Sequence, residues 1–275
     1  MRLPRLDRLT WAVGLGTTLG LAGQSASSFI FFALNHGGGL SVEAVTQALT
    51  AEGVAMGLIM FAVSPIIHRL PLRPQLWAAI VAALAAQAGS GLAHGLPAIV
   101  AARVLSGIAF GLVYSIASAS GAASPTPERV YAAAGTIQLL LGTVLNPVLG
   151  RGQAMDKAGV FGAVAIFVAL LAAGMVFAPP PRRLAAVTHA DDAPRPRVVA
   201  VVAVLAMMVV FAVGTNGVYI YYVPVAHAVG LSDARLGDGL ALVSLVGSLG
   251  GVAATAWACA PGVRCRSSAG WSRLA

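Results

Sequence analysis

Charge is what this sequence has least of. Only nine acidic side chains and seventeen basic ones occur in 275 residues, so 9% of the chain is charged. A soluble domain carries about 25%. With so few charges the chain cannot cover a water-facing surface, and a bilayer is the solvent its composition fits. Cysteine is scarce too. Cys259 and Cys265 are the only two, with no further Cys and no His beside them, which leaves a disulfide framework or a thiolate metal site without support. Lysine occurs once, at Lys157, against sixteen arginines. The basic residues are not interleaved with aromatics, so the net charge of +8 does not read as a nucleic-acid surface. The HExxH, GxSxG, GxxxxGK[ST] and dinucleotide patterns are all missing, and no enzyme or cofactor is expected. The roughly ten-residue alternation of a membrane β-barrel is missing as well.

What is present is long apolar runs. Eight segments reach the length of about 20 residues that crosses the hydrocarbon core: 11–34, 46–67, 75–93, 97–118, 130–149, 159–178, 198–222 and 237–258. Each must satisfy its own backbone in lipid, so each is expected to be a helix. The predicted fold class is all-α, a polytopic transmembrane helix bundle. The basic start and apolar run at the N-terminus also fit a signal peptide. The run continues through "SSFIFFAL", however, and a retained first helix is the reading taken. With the N-terminus in the cytoplasm, thirteen arginines fall inside, and only Arg151, Lys157 and Arg235 fall outside. That bias sets the expected orientation.

The organisation expected from these runs is a six-helix unit over 1–178, a cytoplasmic linker over 179–197, and two further helices over 198–258. The linker is Pro-rich and charged, "PPPRRLAAVTHADDAPRPR", as inter-domain segments often are. Shifting the chain by 191 residues lays Gly23, His36, Gly39, Leu40, Ser41, Leu49, Leu58 and Ala62 over Gly214, His227, Gly230, Leu231, Ser232, Leu240, Leu249 and Ala253. "HGGGLS" thus meets "HAVGLS" without a gap. The shift aligns the first span with the seventh and the second with the eighth. Parallel repeats joined by a cytoplasmic linker are a transporter architecture. The tail, 259–275, has no helical apolar period.

Three local motifs sharpen this. The fourth span holds "RVLSGIAFG", with Arg103, Gly107 and Gly111. The loop after the second holds "SPIIHRLPLR", with Arg69 and Arg73. The fifth holds "GTVLNPVLG". Together with the span count and linker, these resemble the major facilitator superfamily over residues 10–258. The departures are Ser64, His68 and Pro71 where that family usually has Gly, Asp and Gly, and Asn146 where the antiporter motif has Gly before Pro147. The resemblance implies a secondary transporter working by alternating access, in the bacterial cytoplasmic (inner) membrane. Two six-helix halves would rock about a site near the midplane, lined by the first and fourth helices of each half. It also implies a chain cut short after the eighth helix, by truncation or frameshift or as a genuine short form.

The site candidates follow from polar groups at membrane depth. Arg103 lies about eight residues into its span, roughly 10 Å deep at the helical rise, where a charge should face a cavity or a partner. It is expected either to bind an anionic substrate or to meet a proton-coupled carboxylate; snorkelling or a structural ion pair is the plainer reading. Glu52 sits at similar depth in the second span and is the available partner. Gly107, Gly111 and Ser115 share a face with Arg103 at four-residue spacing and are expected to let another helix approach closely. Gln24 in the first span and Thr215 and Asn216 in the seventh occupy equivalent depths. Gln138 and Tyr219 complete the substrate or coupling-ion candidates. Ser25, Ser27 and Ser28 read as interhelical hydrogen-bonding groups, Tyr221 and Tyr222 as an interfacial belt, and His36, His94 and His227 as solvated loop residues. The expected partners are the lipid bilayer, a small-molecule substrate and protons, with no metal. The competing function is an inactive fragment or a non-transporting membrane scaffold.

Overall fold

In the computed structural model, residues 7–152, 156–184 and 221–258 are described, together with single residues between 199 and 219. Every regular element among them is helical. Helix α1 (Arg8–Gly20) leads through α2 (Ala22–Ser25) and α3 (Ser27–Phe32) into a π-helical turn, Ala33–Gly37. The longer helices are α4 (Val42–Val63), α5 (Leu72–Leu92), α6 (Leu96–Ala122), α7 (Pro127–Gly152) and α8 (Lys157–Phe177). They are followed by α9 (Tyr222–Ala228) and α10 (Asp233–Ala258). The six long helices α4 to α8 and α10 are each long and apolar enough to cross a membrane. Their most apolar windows are mostly turned outward. Only 22% of the window in α4 and 17% of that in α10 is buried. Phe61 and Phe177 are each 83% exposed. So much outward apolar surface is unfavourable in water and natural against lipid. This is a membrane-spanning protein.

The first expected span, 11–34, is helical but broken. Leu21 and Ala26 have φ near −100° and ψ near 0°, which cuts a would-be continuous helix into three. Upstream, Thr17 Oγ1 donates to the Val13 carbonyl at 2.8 Å and Thr18 Oγ1 to that of Gly14 at 2.7 Å. Such back-bonding satisfies the buried hydroxyls and bends helices. On α1, Gly16 and Gly20 lie against α6, and Gly14, on another face, lies against Ile137 of α7. A Cβ on Gly20 would sit 2.9 Å from the Tyr114 backbone nitrogen. The seventh expected span, 198–222, lies largely outside the described residues, as do the tail and both cysteines.

Helix α6 is the hub, packed on α1, α4 and α5, while α8 packs on α5 and α10 runs along α7. The α4–α6 seam is built from small residues. A Cβ on Gly107 would run into the carbonyl oxygen of Glu52. One on Gly111 would lie 2.8 Å from that of Met56 and 2.5 Å from Ile59 Cγ2. Ser115 is next on the stripe. It donates to the Gly111 carbonyl at 2.8 Å and borders a side cavity of about 300 Å³ with Met60 and Ser64. The α7–α10 crossing is also glycine on glycine, with a Gly150 Cβ placed 3.0 Å from the Gly237 Cα.

The internal repeat has a local structural counterpart. Gly39 and Gly230, equivalent under the 191-residue shift, have φ of +64° and +76°, a region open to glycine and strained for other residues. Two residues on, Ser41 Oγ accepts from Ala44 N at 3.2 Å and Ser232 Oγ from Arg235 N at 3.4 Å. Both are N-caps of the next helix.

Helix alternation puts charge unevenly on the two ends. Among the described residues, Arg8, Arg69, Arg73, Arg129, Arg182 and Arg183 share one end with two acids, Asp7 and Glu128. Arg151, Lys157 and Arg235 share the other with four acids, Glu43, Asp156, Asp233 and Asp238. The start of the expected linker is docked: Arg73 Nε donates to the Pro180 carbonyl at 2.9 Å and Leu72 N to that of Arg182 at 3.1 Å.

Candidate functional site

Two polar arrangements lie inside the bundle, on opposite sides of the short helix α2. The first is an ion pair. Arg103 on α6 is wholly buried and Glu52 on α4 is 9% exposed. Arg103 Nη1 donates to Glu52 Oε2 at 3.2 Å and to Oε1 at 3.3 Å. Packing buries the guanidinium fully and the carboxylate almost so, so each must find protein partners. Arg103 Nη2 donates to Gln87 Oε1 at 3.0 Å, and its Nε to Ser90 Oγ at 3.1 Å. Ser106 Oγ donates to Glu52 Oε1 at 2.7 Å and accepts from Gln87 Nε2 at 3.1 Å. The Phe161 ring of α8 covers the guanidinium, its centroid 5.0 Å from the Arg103 Cζ, a cation–π contact. The network is closed. Among the described residues, no buried side-chain nitrogen or oxygen lacks a partner.

The helices explain why these groups meet. Gln87 and Ser90 are three apart on α5, and Arg103 and Ser106 three apart on α6, so each pair shares a face. The absence of side chains at Gly107 and Gly111 brings α4 within reach of α6. Gln87, Ser90, Ser106 and Phe161 were not among the sequence candidates. The available signal was polar residues at three-residue spacing inside apolar spans.

The second arrangement is a cleft of about 560 Å³ between α2, α7, α10 and the segment around Tyr219 and Tyr222. Its polar lining comes from Gln24, Ser25, Gln138, Asn146, Ser244 and the two tyrosines, set among Leu21, Leu139, Leu236, Leu240 and Val243. Gln24, Gln138 and Tyr219 thus come together although they lie on three separate chain segments. Tyr219 Oη donates to the Ser25 carbonyl at 2.8 Å, and the Tyr219 and Tyr222 rings are 5.0 Å apart. Asn146 Nδ2 reaches Ser244 Oγ at 3.4 Å, a polar bridge between α7 and α10 inside the cleft. Asn146, noted in the sequence only as a departure beside Pro147, faces the cavity because α7 continues as helix through the proline. Thr215 and Asn216 lie outside the described residues.

This geometry separates the expected residues. The cleft wall is not made by the fourth span, α6, and Arg103 does not reach the cavity. Each of its nitrogens has a protein partner in Glu52, Gln87 or Ser90, and it is not among the cleft's lining residues. Tyr222 lines the cleft, whereas Tyr221 is 48% exposed and fits the interfacial reading. His36, His94 and His227 are exposed, as expected of solvated loop residues, and two of them also make contacts. His36 stacks on Phe32 at 4.0 Å, His227 meets the same ring edge-on at 4.9 Å, and His227 Nε2 lies 2.5 Å from Asp233 Oδ1. At the same end, Arg151 and Asp238 pair at 3.0 Å.

The fold and site together define a class: an all-helical membrane-spanning protein with a buried ion pair behind a polar cleft. No protein-family model, curated protein or solved structure matches the chain.

Proposed function

We propose that this chain is a secondary transporter of the major facilitator type, moving a small solute across the bacterial cytoplasmic membrane by alternating access. The observation that carries the reading is the cleft: a polar-lined cavity of about 560 Å³ at an interface between the first six spans and the segment after the linker. Membrane transport sites are built in this way, near the midplane at the interface of repeats. The matched glycine-and-serine turns at 39–41 and 230–232 support a repeat, and the charge asymmetry of the two ends supports a cytoplasmic N-terminus.

The lining narrows the substrate. Among the described residues its polar groups are amides, hydroxyls and phenols, with no carboxylate or cation. An ion entering such a cavity would lose its hydration without gaining a countercharge. Amide and hydroxyl groups each donate and accept, which suits an uncharged solute bearing hydroxyl or amide groups. The tyrosine pair provides a flat wall for an apolar face.

Glu52 is the coupling residue in this reading. Protonating its carboxylate removes the charge that holds Arg103, and α2 lies between that event and the cleft. The test is labelling from both sides of sealed vesicles. Gln138→Cys, in a chain with Cys259→Ser and Cys265→Ser, is exposed to a membrane-impermeant maleimide added inside or outside. Labelling from both sides is expected, with the two rates shifting in opposite directions in Glu52→Gln. Labelling from one side only, unchanged in that variant, would sink the transport reading and favour a static scaffold.

A further inference from the structure

At the arginine-rich end of the bundle, away from the cleft, the start of α5 and the segment after α8 enclose a second cavity of about 560 Å³. It is lined by Pro71, Arg73, Pro74, Arg182 and Arg183. Three arginines border one pocket, and among the described residues its lining contains no acid. Two backbone ties hold the arrangement: Arg73 Nε on the Pro180 carbonyl and Leu72 N on the Arg182 carbonyl. The Pro179–Pro180–Pro181 run stiffens the segment between them. With its Nε committed, Arg73 still has its terminal nitrogens, and guanidinium forks match phosphate oxygens in pairs. Three cationic side chains at one pocket attract an anion that enters it.

We propose that this pocket binds the phosphate of an anionic phospholipid headgroup. The surroundings favour a lipid over a soluble phosphate. Val176 and Phe177, at the end of α8, are 61% and 83% exposed, and Trp77, beginning the second turn of α5, is 37% exposed. An apolar wall therefore flanks the basic pocket on two helices that pack together, with a tryptophan at the level where indoles anchor at membrane interfaces. Headgroup and acyl chain each find a matching surface. Basic pockets between spans on the cytoplasmic side hold anionic headgroups in this manner. Occupancy would tie α5 to α8 and to the start of the segment that leads to the seventh span.

The experiment uses the full chain in detergent, titrated with phosphatidylglycerol, phosphatidylcholine or inorganic phosphate and followed by native mass spectrometry and thermal unfolding. Phosphatidylglycerol is expected to remain bound and raise the unfolding temperature, while phosphatidylcholine does neither. Arg182→Gln/Arg183→Gln should weaken phosphatidylglycerol binding about thirtyfold, and Arg182→Lys/Arg183→Lys should retain a larger share of it. Both side chains are exposed, so the variants leave the bundle folded, and unchanged unfolding without lipid checks this. Equal retention of phosphatidylglycerol by wild type and the Gln variant overturns the proposal. So does equal binding of the two lipids, or saturation by inorganic phosphate with no preference for the lipid.

Discussion

Gly23 lies directly against the Glu52 carboxylate: a Cβ at this position would stand 2.9 Å from Oε1 and 2.9 Å from the Phe110 ring. The next two residues of the same four-residue helix, Gln24 and Ser25, line the cleft. A single turn of helix therefore touches the buried charge on one side and the cavity on the other. The breaks at Leu21 and Ala26 leave that turn free of the rigid register of a continuous span. Gly23→Ala is expected to displace the carboxylate or the ring and destabilise the fold by about 1–3 kcal/mol, the usual cost of overpacking. Equilibrium unfolding in detergent, compared with Gly53→Ala, checks this, because Gly53 has nothing within 4 Å of its would-be Cβ. Equal effects at the two sites would contradict the packing.

The Arg103–Glu52 pair gives a sharper prediction. Arg103→Ala strands a buried carboxylate and should cost about 3–5 kcal/mol. Removing both charges together, as Arg103→Met with Glu52→Gln, should cost clearly less than Arg103→Ala alone. The physical reason is that the penalty belongs to the unpaired charge and not to the loss of the bond. A double-mutant cycle measures it. Additive effects would mean the two side chains do not interact.

The α4–α6 seam predicts strong position dependence. Gly107→Ala meets backbone, which cannot swing away, and should lower stability by at least about 2 kcal/mol. Ser115→Ala, two stripe positions further from Arg103, loses a hydroxyl bonded to its own helix and should change stability by less than about 0.5 kcal/mol. Thermal unfolding of both variants decides it. A larger effect at Ser115 than at Gly107 would overturn the described seam.

Asp7 gives a pH-dependent prediction outside the membrane. Its Oδ1 accepts from the Thr10 hydroxyl at 2.6 Å and from the Thr10 backbone nitrogen at 2.8 Å. These bonds, the hydroxyl first, hold its carboxyl below the usual aspartate value. A depressed folded-state value means the contribution is present above the ordinary Asp pKa and lost as pH falls through the lowered one. Asp7→Ala should cost about 1 kcal/mol near neutral pH, as loss of an N-cap does, and almost nothing at a pH below the folded value. Fraying of α1, followed by amide exchange of Thr10 and Trp11, reports the effect. A cost that persists undiminished in acid would rule out the carboxylate as its source.

Much of the site was visible as residue types but not as a site. Glu52 and Arg103 stood out because a charge inside an apolar span demands an explanation wherever the span packs. Gln87, Ser90 and Ser106 did not, since serine and glutamine in such helices have many uses and only their convergence on one guanidinium gives them a role. Gln24, Gln138 and Tyr219 were separately noticeable. Their shared cavity depends on how α7 and α10 cross at Gly150 and Gly237, a contact with no local sequence signature. The first span read as continuous because apolar length says nothing of the dihedrals at Leu21 and Ala26.

Composition and apolar run length by themselves determined that this chain is helical and spans a membrane, because backbone groups in lipid admit few other solutions. The arginine distribution and the Gly39/Gly230 and Ser41/Ser232 repeat were likewise local enough to read along the chain. Tertiary structure alone decided that Arg103 turns to Glu52 and away from the cleft, that Asn146 and Tyr222 face the cavity, and that three arginines ring one pocket. Helical periodicity assigns a face to each residue. Which neighbour that face meets depends on crossing points between helices far apart in sequence, set here by glycines whose only local trace is the lack of a side chain.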